Sequence, residues 1–409
     1  MVEERRNQFE EFDNENVIQI EREKIKNHSI DVHSIVSEKR NEFGIKFLFK
    51  ESTIDLKKKL ITHPTIVRPH FALTGYTKNF LENAIVIFGK TEMEYLNELH
   101  IEERYNRLRK LASFEIPCIF FTKYDEHKPI DPNIIDIFLQ NNIPVFGYKD
   151  RTSLFIYKLM DILDDVFSTK ASIHGNLVEV FGVGTLILGD SGIGKSELTL
   201  ELLARGHRFI ADDIVILMRK YGYKLLGYGN QSTKKWIEIR GAGIFDVTSL
   251  FGVNCFKSIT EIENVVYLYS KENLEEKVLS FMLKRKREKG FDQEASKLSP
   301  IEKQKLFDEF VKISDKELED LEYKVYKRIL KYDVDTRFST GSYPATILNV
   351  PITINPIEVF LSRDLSVIIE GLASRKIAVK YNLGEESPSL NIKTGPGHFL
   401  FPPNYLKED

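Results

Sequence analysis

Residues 185–205 read TLILGDSGIGKSELTLELLAR. A short apolar run, a glycine-rich turn and an amphipathic start follow one another, which predicts strand, loop and helix. The turn fits G-x-x-x-x-G-K-[ST] through Gly189, Gly194, Lys195 and Ser196, with Gly192 between them. In that pattern small residues let backbone N–H groups converge on the phosphates of a nucleotide. The lysine reaches the outer phosphates and the final hydroxyl holds Mg²⁺. A helix beginning near Ser196 aims the positive end of its dipole at the same place. Leu198 and Leu202, one turn apart, supply its apolar side. The candidate phosphate cradle is therefore Gly189, Asp190, Ser191, Gly192, Ile193, Gly194, Lys195 and Ser196.

Outward from the loop, residues 177–181 and 185–189 flank Gly182-Val183-Gly184 and predict a hairpin-like pair of strands. Gly206 is placed to cap the loop helix. Residues 207–219 form a β-rich run interrupted by Asp212 and Asp213, and residues 236–247 carry a turn at Gly241 and Gly243. Toward the N-terminus, apolar runs at 84–89, 116–123 and 143–149 alternate with helical spacing over 91–114 and 130–142. That β-α-β-α-β order predicts a small parallel-sheet domain over 41–152. A connecting helix is expected over 153–170, with Leu159, Ile162 and Val166 on one face, and residues 1–40 are expected to be loosely ordered. The second domain is expected over 171–382, followed by a Pro/Gly-rich tail over 383–409. Residues 271–333 are dense in charges of both signs at helical spacing and predict a charged helical insertion, a hairpin or arm. The KRKR run at 284–287 reads as a solvated helix face rather than a nucleic-acid patch, because acidic residues interleave around it.

At 409 residues the chain is long enough for two or three domains, and its formal net charge of −3 gives no bulk attraction to nucleic acid or anionic membrane. It has no run of eighteen apolar residues, and its charged N-terminus lacks the apolar core of a secretory signal. Cys118 and Cys255 sit in apolar surroundings without a second cysteine at ligand spacing and read as buried thiols of a cytoplasmic protein.

A phosphate loop binds nucleotide without fixing the reaction, so the other reactive groups matter. Asp212 and Asp213 end an apolar run about one strand and helix beyond the loop. A carboxylate there can help hold Mg²⁺ or take the proton of an incoming nucleophile. Adjacent residues of a strand point to opposite faces, so one of the two is expected at the phosphates. Glu238 and Arg240 alternate with Ile237 and Ile239 and share a side, which suits either a metal and phosphoryl site or a surface ion pair. His174, before Gly175, is a lone histidine, and Arg337 and Arg363 are isolated arginines. No Ser-His-Asp order or zinc-ligand cluster is present.

Taken together, these residues resemble the HPr kinase/phosphorylase family. The likeness runs through IHGNLVEVFGVGTLILGDSGIGKSE (173–197), ELLARGHRFIADD (201–213) and the signature IEIRGAGIFDV (237–247). RPHFALTGYTKNF (68–80), FGKTEMEYLNEL (88–99) and EIPCIFFTK (115–123) stand in the family's order. The resemblance implies an α/β architecture, with a phosphate-loop kinase domain behind the N-terminal one. It implies a kinase that uses ATP or pyrophosphate to phosphorylate a serine of the carrier protein HPr, and that can also remove that phosphate with inorganic phosphate. By the same resemblance, Lys195 would contact the β- and γ-phosphates, Ser196 and Glu238 would bind Mg²⁺, and Asp213 would be the base, or the acid in reverse. His174 would be an active-site histidine, Arg240 part of the signature tied to both directions, and Arg337 the catalytic arginine. A homohexamer is implied, without nucleic-acid or membrane partners. A nucleotide-sensing binding protein or a small-molecule kinase on the same scaffold are the alternatives. The chain departs from the family where members read V-R-P-G-R-N, a loop linked to the reverse direction and to grasping HPr. Here residues 359–364 are VFLSRD. The 271–333 insertion and the tail depart as well, and an altered substrate would fit these changes.

Overall fold

The computed structural model describes residues 18–20, 29–38, 43–127, 129–230, 235–239, 241–288, 295–315, 317–318, 320–333, 342–359 and 364–381. They fall into two units, residues 25–169 and residues 170–409 together with 1–24.

The N-terminal unit is built on a sheet ordered Ile45–Phe47, Val145–Tyr148, Ile119–Thr122, Ile85–Phe88, Ile66–Val67. The last four strands run parallel and the first is antiparallel. The central strands IVIF, IFFT and VFGY are buried along their whole length, as parallel strands covered on both faces must be. Alternation sends Ile85, Ile87, Phe120, Phe146 and Tyr148 into one core and Val86, Phe88, Ile119, Phe121 and Val145 into the other. The helix expected over 91–114 is instead two, Lys90–Glu98 and Ile101–Ala112. The break at Leu99 and His100 is extended, and Arg104 satisfies the carbonyls it frees, its Nε donating to Leu96 O at 2.6 Å. The helix Thr152–Phe167 belongs to this unit's core through Phe155, Leu159 and Leu163, a row at i, i+4, i+8, while Ile162 is only half-buried. Part of the segment expected to be loosely ordered also has structure. Val32–Glu38 is a helix whose Val32, Ile35 and Val36 are buried, because their three- and one-residue steps fall on one face.

The second unit holds a larger sheet. Its path runs Ile18–Ile20, Tyr343–Ile347, Val350–Glu358, Ile259–Tyr269, Val183–Gly189, Asn176–Val180, Arg208–Ala211. Strands Lys170–His174, Ile214–Lys220 and Lys224–Gly229 join off that path. The strand that feeds the phosphate loop, Val183–Gly189, is parallel to Ile259–Tyr269, which in turn is parallel to Val350–Glu358. The loop therefore leaves the carboxyl edge of a parallel core.

The hairpin before the loop turns earlier than expected, at Phe181 and Gly182, with Val180 opposite Val183. Both turn residues have positive φ, 52° and 86°, as a two-residue turn that matches strand twist requires. Gly184 is in the strand, where a Cβ would lie 2.1 Å from Glu261 O of the neighbouring strand. Its role is close approach, not turning.

Residues 271–333 form, among those described, the helices Lys271–Arg287, Pro300–Val311 and Leu321–Asp333. They do not extend as an arm. Leu274, Val278, Met282, Phe310, Val325 and Tyr326 enter the same core as Leu186, Leu188 and Tyr267 of the sheet. The charges interleave with an apolar row at helical spacing, and that row packs on the sheet. The KRKR run closes the first helix, where cations complement its dipole; Arg285 meets Glu317 and Lys286 meets Glu309.

Candidate active site

The phosphate loop is shaped by its glycines. Gly189 has φ of 142° with Leu268 O only 2.5 Å from where a Cβ would sit, and Gly192 and Gly194 have φ of 84° and 101°. Any larger residue at Gly189 would push the loop off the adjacent strand. The helix Lys195–Ala204 starts directly after Gly194. It is tied to the sheet where the buried Asn176 Nδ2 donates to Thr199 Oγ1 at 3.0 Å and Thr199 Oγ1 donates to Lys195 O at 2.9 Å. Lys195 folds back over the loop, its Nζ donating to Gly189 O and Asp190 O, both at 2.9 Å. An ammonium held there by two carbonyls is poised to exchange one for a phosphate oxygen.

The two carboxylates after Ala211 lie between two strands, and a turn rather than strand alternation sets them apart. Asp212 turns to the loop: its Oδ1 accepts from Ser196 Oγ at 3.2 Å, and its Oδ2 accepts from the backbone N–H of Glu238 at 2.9 Å. Burial pushes the Asp212 carboxyl up, against the opposing hydrogen bonds from Glu238 and Ser196, and the neighbouring Asp213 adds to the rise. Because Ser196 gives its proton to Asp212, the oxygen's lone pairs are left for a cation. Among the described residues no three His, Cys, Asp or Glu side chains surround one point. A divalent ion here would lean on the Ser196 hydroxyl, one or two carboxylates and the donor's phosphates, the habit of Mg²⁺ rather than of an all-protein cage.

Asp213 instead meets His174. Its φ is +88°, and the Ile214 N–H donates to Asp212 O at 2.7 Å, which makes Asp213 the centre of a three-residue turn. Two backbone bonds with Gly175 hold it there, at 2.9 and 3.2 Å. A non-glycine residue at such a φ is strained, and strain of this kind gathers at functional sites. The outcome is that the exposed Asp213 carboxylate lies 2.9 Å from His174 Nδ1. Gly175 packs directly against the strand that feeds the loop, since a Cβ there would meet Ile187 O at 2.7 Å.

Glu238 lies on the hairpin Trp236–Ile239 with Gly243–Asp246, its side chain exposed while Ile237 is fully buried. The structure thus brings together Ser196, Asp212 and the Glu238 backbone, and separately His174 with Asp213. Arg240, Arg337 and Arg363 lie outside the described residues. His207 is structural: it is buried, paired with Glu370 at 2.9 Å and edge-on to Phe181. Sequence reasoning saw the Asp212–Asp213 doublet but not which carboxylate serves the loop, and it passed over Asn176. The one usable signal was the sequence I-A-D-D ending a strand.

Against known proteins, the model of the HPr Serine kinase N terminus matches residues 30–163, and that of the HPr Serine kinase C-terminal domain matches residues 165–311. The chain is 37% identical over 244 residues to the HPr kinase/phosphorylase of Chloroherpeton thalassium, covering 60% of this chain and 71% of that one. It is 35% identical over 281 residues to the enzyme of the same name from Chlorobaculum tepidum, covering 68% and 78%. With that of Lachnoclostridium phytofermentans it shares 35% identity over 237 residues, covering 56% and 76%. Two adjoining family models in the family's order, and relatives matched over more than two thirds of their length, establish that the chain belongs to the HPr serine kinase family.

Proposed function

We propose that this chain is an ATP-dependent kinase that phosphorylates a serine of the carrier protein HPr, the protein after which its relatives are named. The observation that carries the reading is the pair of divergent carboxylates: Asp212 bound to the loop hydroxyl, and the adjacent Asp213 bound to His174. In this reading the amides of Gly189 to Ser196 and the Lys195 ammonium hold the donor's β- and γ-phosphates. Ser196, oriented by Asp212, and Glu238 hold Mg²⁺, which when bound offsets charge on the transferring phosphoryl. Asp213 accepts the proton of the serine hydroxyl, with His174 fixing the carboxylate's direction. Transfer of this kind depends more on position and charge than on the strength of the base. Arg240 and Arg337 complete the set by family resemblance, as does assembly into a cytoplasmic hexamer. With the V-R-P-G-R-N loop replaced, the reverse phosphorolysis is the weaker direction.

The test is transfer of label from γ-labelled ATP in the presence of Mg²⁺ to HPr and to an HPr with alanine in place of the target serine. Label on the first and none on the second is expected. Label on neither, with nucleotide still bound, would favour a sensor or a small-molecule kinase instead.

A further inference from the structure

One residue of the phosphate loop is gripped from outside it. Asp190 follows Gly189, and its backbone carbonyl is one of the two that hold Lys195. Its side chain is nearly buried. Its partners come from the insertion. Lys277 Nζ of the first insertion helix lies 2.9 Å from Asp190 Oδ1, and the same ammonium pairs with Glu322 of the third. The Tyr326 hydroxyl, fully buried, reaches Asp190 Oδ2 at 3.2 Å and Glu322 Oε1 at 2.7 Å. Glu322 and Tyr326 stand four apart on one helix face, so a single helix presents both. The Tyr326 ring meets Tyr267 edge-on at 6.2 Å, and Tyr267 lies opposite Leu188, two residues before Asp190. Asp190 and Glu322 thus share one ammonium and one hydroxyl, and this contact pins the Asp190 side chain beside a core shared with the sheet.

We propose that the insertion is a clamp on the phosphate loop, in which Lys277, Glu322 and Tyr326 are positioning residues that fix Asp190 and, through it, the amides and the Lys195 ammonium that hold the donor's phosphates. They touch no substrate; they set the loop. The proposal rests on the reading of the loop as the nucleotide site. It explains why the helices of residues 271–333, the first two of which fall within the matched C-terminal family model, are packed into the core beside that site rather than extended from it.

The experiment measures Kd for Mg-ATP by calorimetry without HPr, and KM and kcat with it, on the full chain. Lys277→Met and Tyr326→Phe are each expected to weaken nucleotide binding about tenfold and to raise KM for ATP by a similar factor, leaving kcat within about threefold. Lys277→Arg should restore most of the loss. Lys286→Ala, which breaks the Lys286–Glu309 pair in the same insertion, should leave the Kd unchanged. Because Tyr326→Phe removes one oxygen and keeps the ring, its melting temperature checks that folding is intact. Wild-type affinity in both folded variants overturns the clamp and leaves the kinase reading standing. Loss that Lys277→Arg does not rescue, or that Lys286→Ala shares, overturns it as well, by marking a general structural effect. A wild-type chain that binds nucleotide but does not label HPr sinks only the substrate assignment, and one that binds no nucleotide sinks both.

Discussion

Asp213 is held in a backbone conformation that few L-residues adopt, by two bonds to Gly175 and one across its own turn. Relaxing it would swing the carboxylate away from His174. The arrangement therefore costs folding energy to aim one exposed acid, as expected for a group that acts on a substrate. Asp213→Asn keeps the shape and removes the ability to take a proton. Its kcat should fall by about 10²–10⁴ while Kd for Mg-ATP stays within about threefold, read by steady-state kinetics and calorimetry. A Kd that rises with the loss of rate would mean that Asp213 serves the metal or the fold. Sequence alone could place two adjacent carboxylates just beyond a strand end. It could not show the positive φ, because for a non-glycine residue that angle is imposed by neighbours distant in the chain.

Among elements, the junction of strand Ile85–Phe88 and helix Lys90–Glu98 shows how a strand end is locked. Glu92, buried in the first turn of the helix, accepts from Gly89 N–H at 2.9 Å and from Arg68 Nη2 at 2.7 Å, and His70 stands beside it. Burial works to raise the Glu92 carboxyl, but the hydrogen bonds from Arg68 and the backbone outweigh it and hold the group below its ordinary 4.5. A depressed folded value means that the carboxylate stabilises above about pH 4.5, and that this contribution is lost as pH falls through the folded value. Glu92→Gln should cost about 2 kcal/mol at pH 7 in denaturant melts, and the gap to wild type should narrow below pH 4.5. A gap that is constant or widens in acid would contradict this assignment. Elements were legible where one face dominated. The buried runs IVIF, IFFT and VFGY read as strands at once. The insertion did not read as core, because Glu275, Glu276 and Lys277 separate Leu274 from Val278 and KRKR follows Leu283, and composition hides a row that spacing contains.

At the scale of the molecule, a pattern of four fixed positions located the phosphate loop, and the strand–loop–helix around it formed as read. The order of the sheet was not readable. Ile18–Ile20 pairs in parallel with Tyr343–Ile347 almost the full chain away, and no local spacing encodes such a partner. Nor did the sequence show that the Thr152–Phe167 helix is part of the N-terminal core, since a row at 155, 159 and 163 and one at 159, 162 and 166 both have helical spacing. The two units carry separate cores, yet the loop, the two carboxylates and the clamp lie within one of them. Donor binding and proton transfer are thus expected from a single folded unit.

The most direct test of that expectation is a crystal structure with Mg²⁺ and a non-hydrolysable ATP analogue. Ser196 Oγ should lie about 2.1 Å from the ion while still donating to Asp212, and the Asp213 carboxylate should stand one hydroxyl's width from the terminal phosphorus, on the side open to an incoming serine. A triphosphate seated in the loop with Asp213 directed away from its terminal group, or with Ser196 outside the ion's shell, would contradict the account.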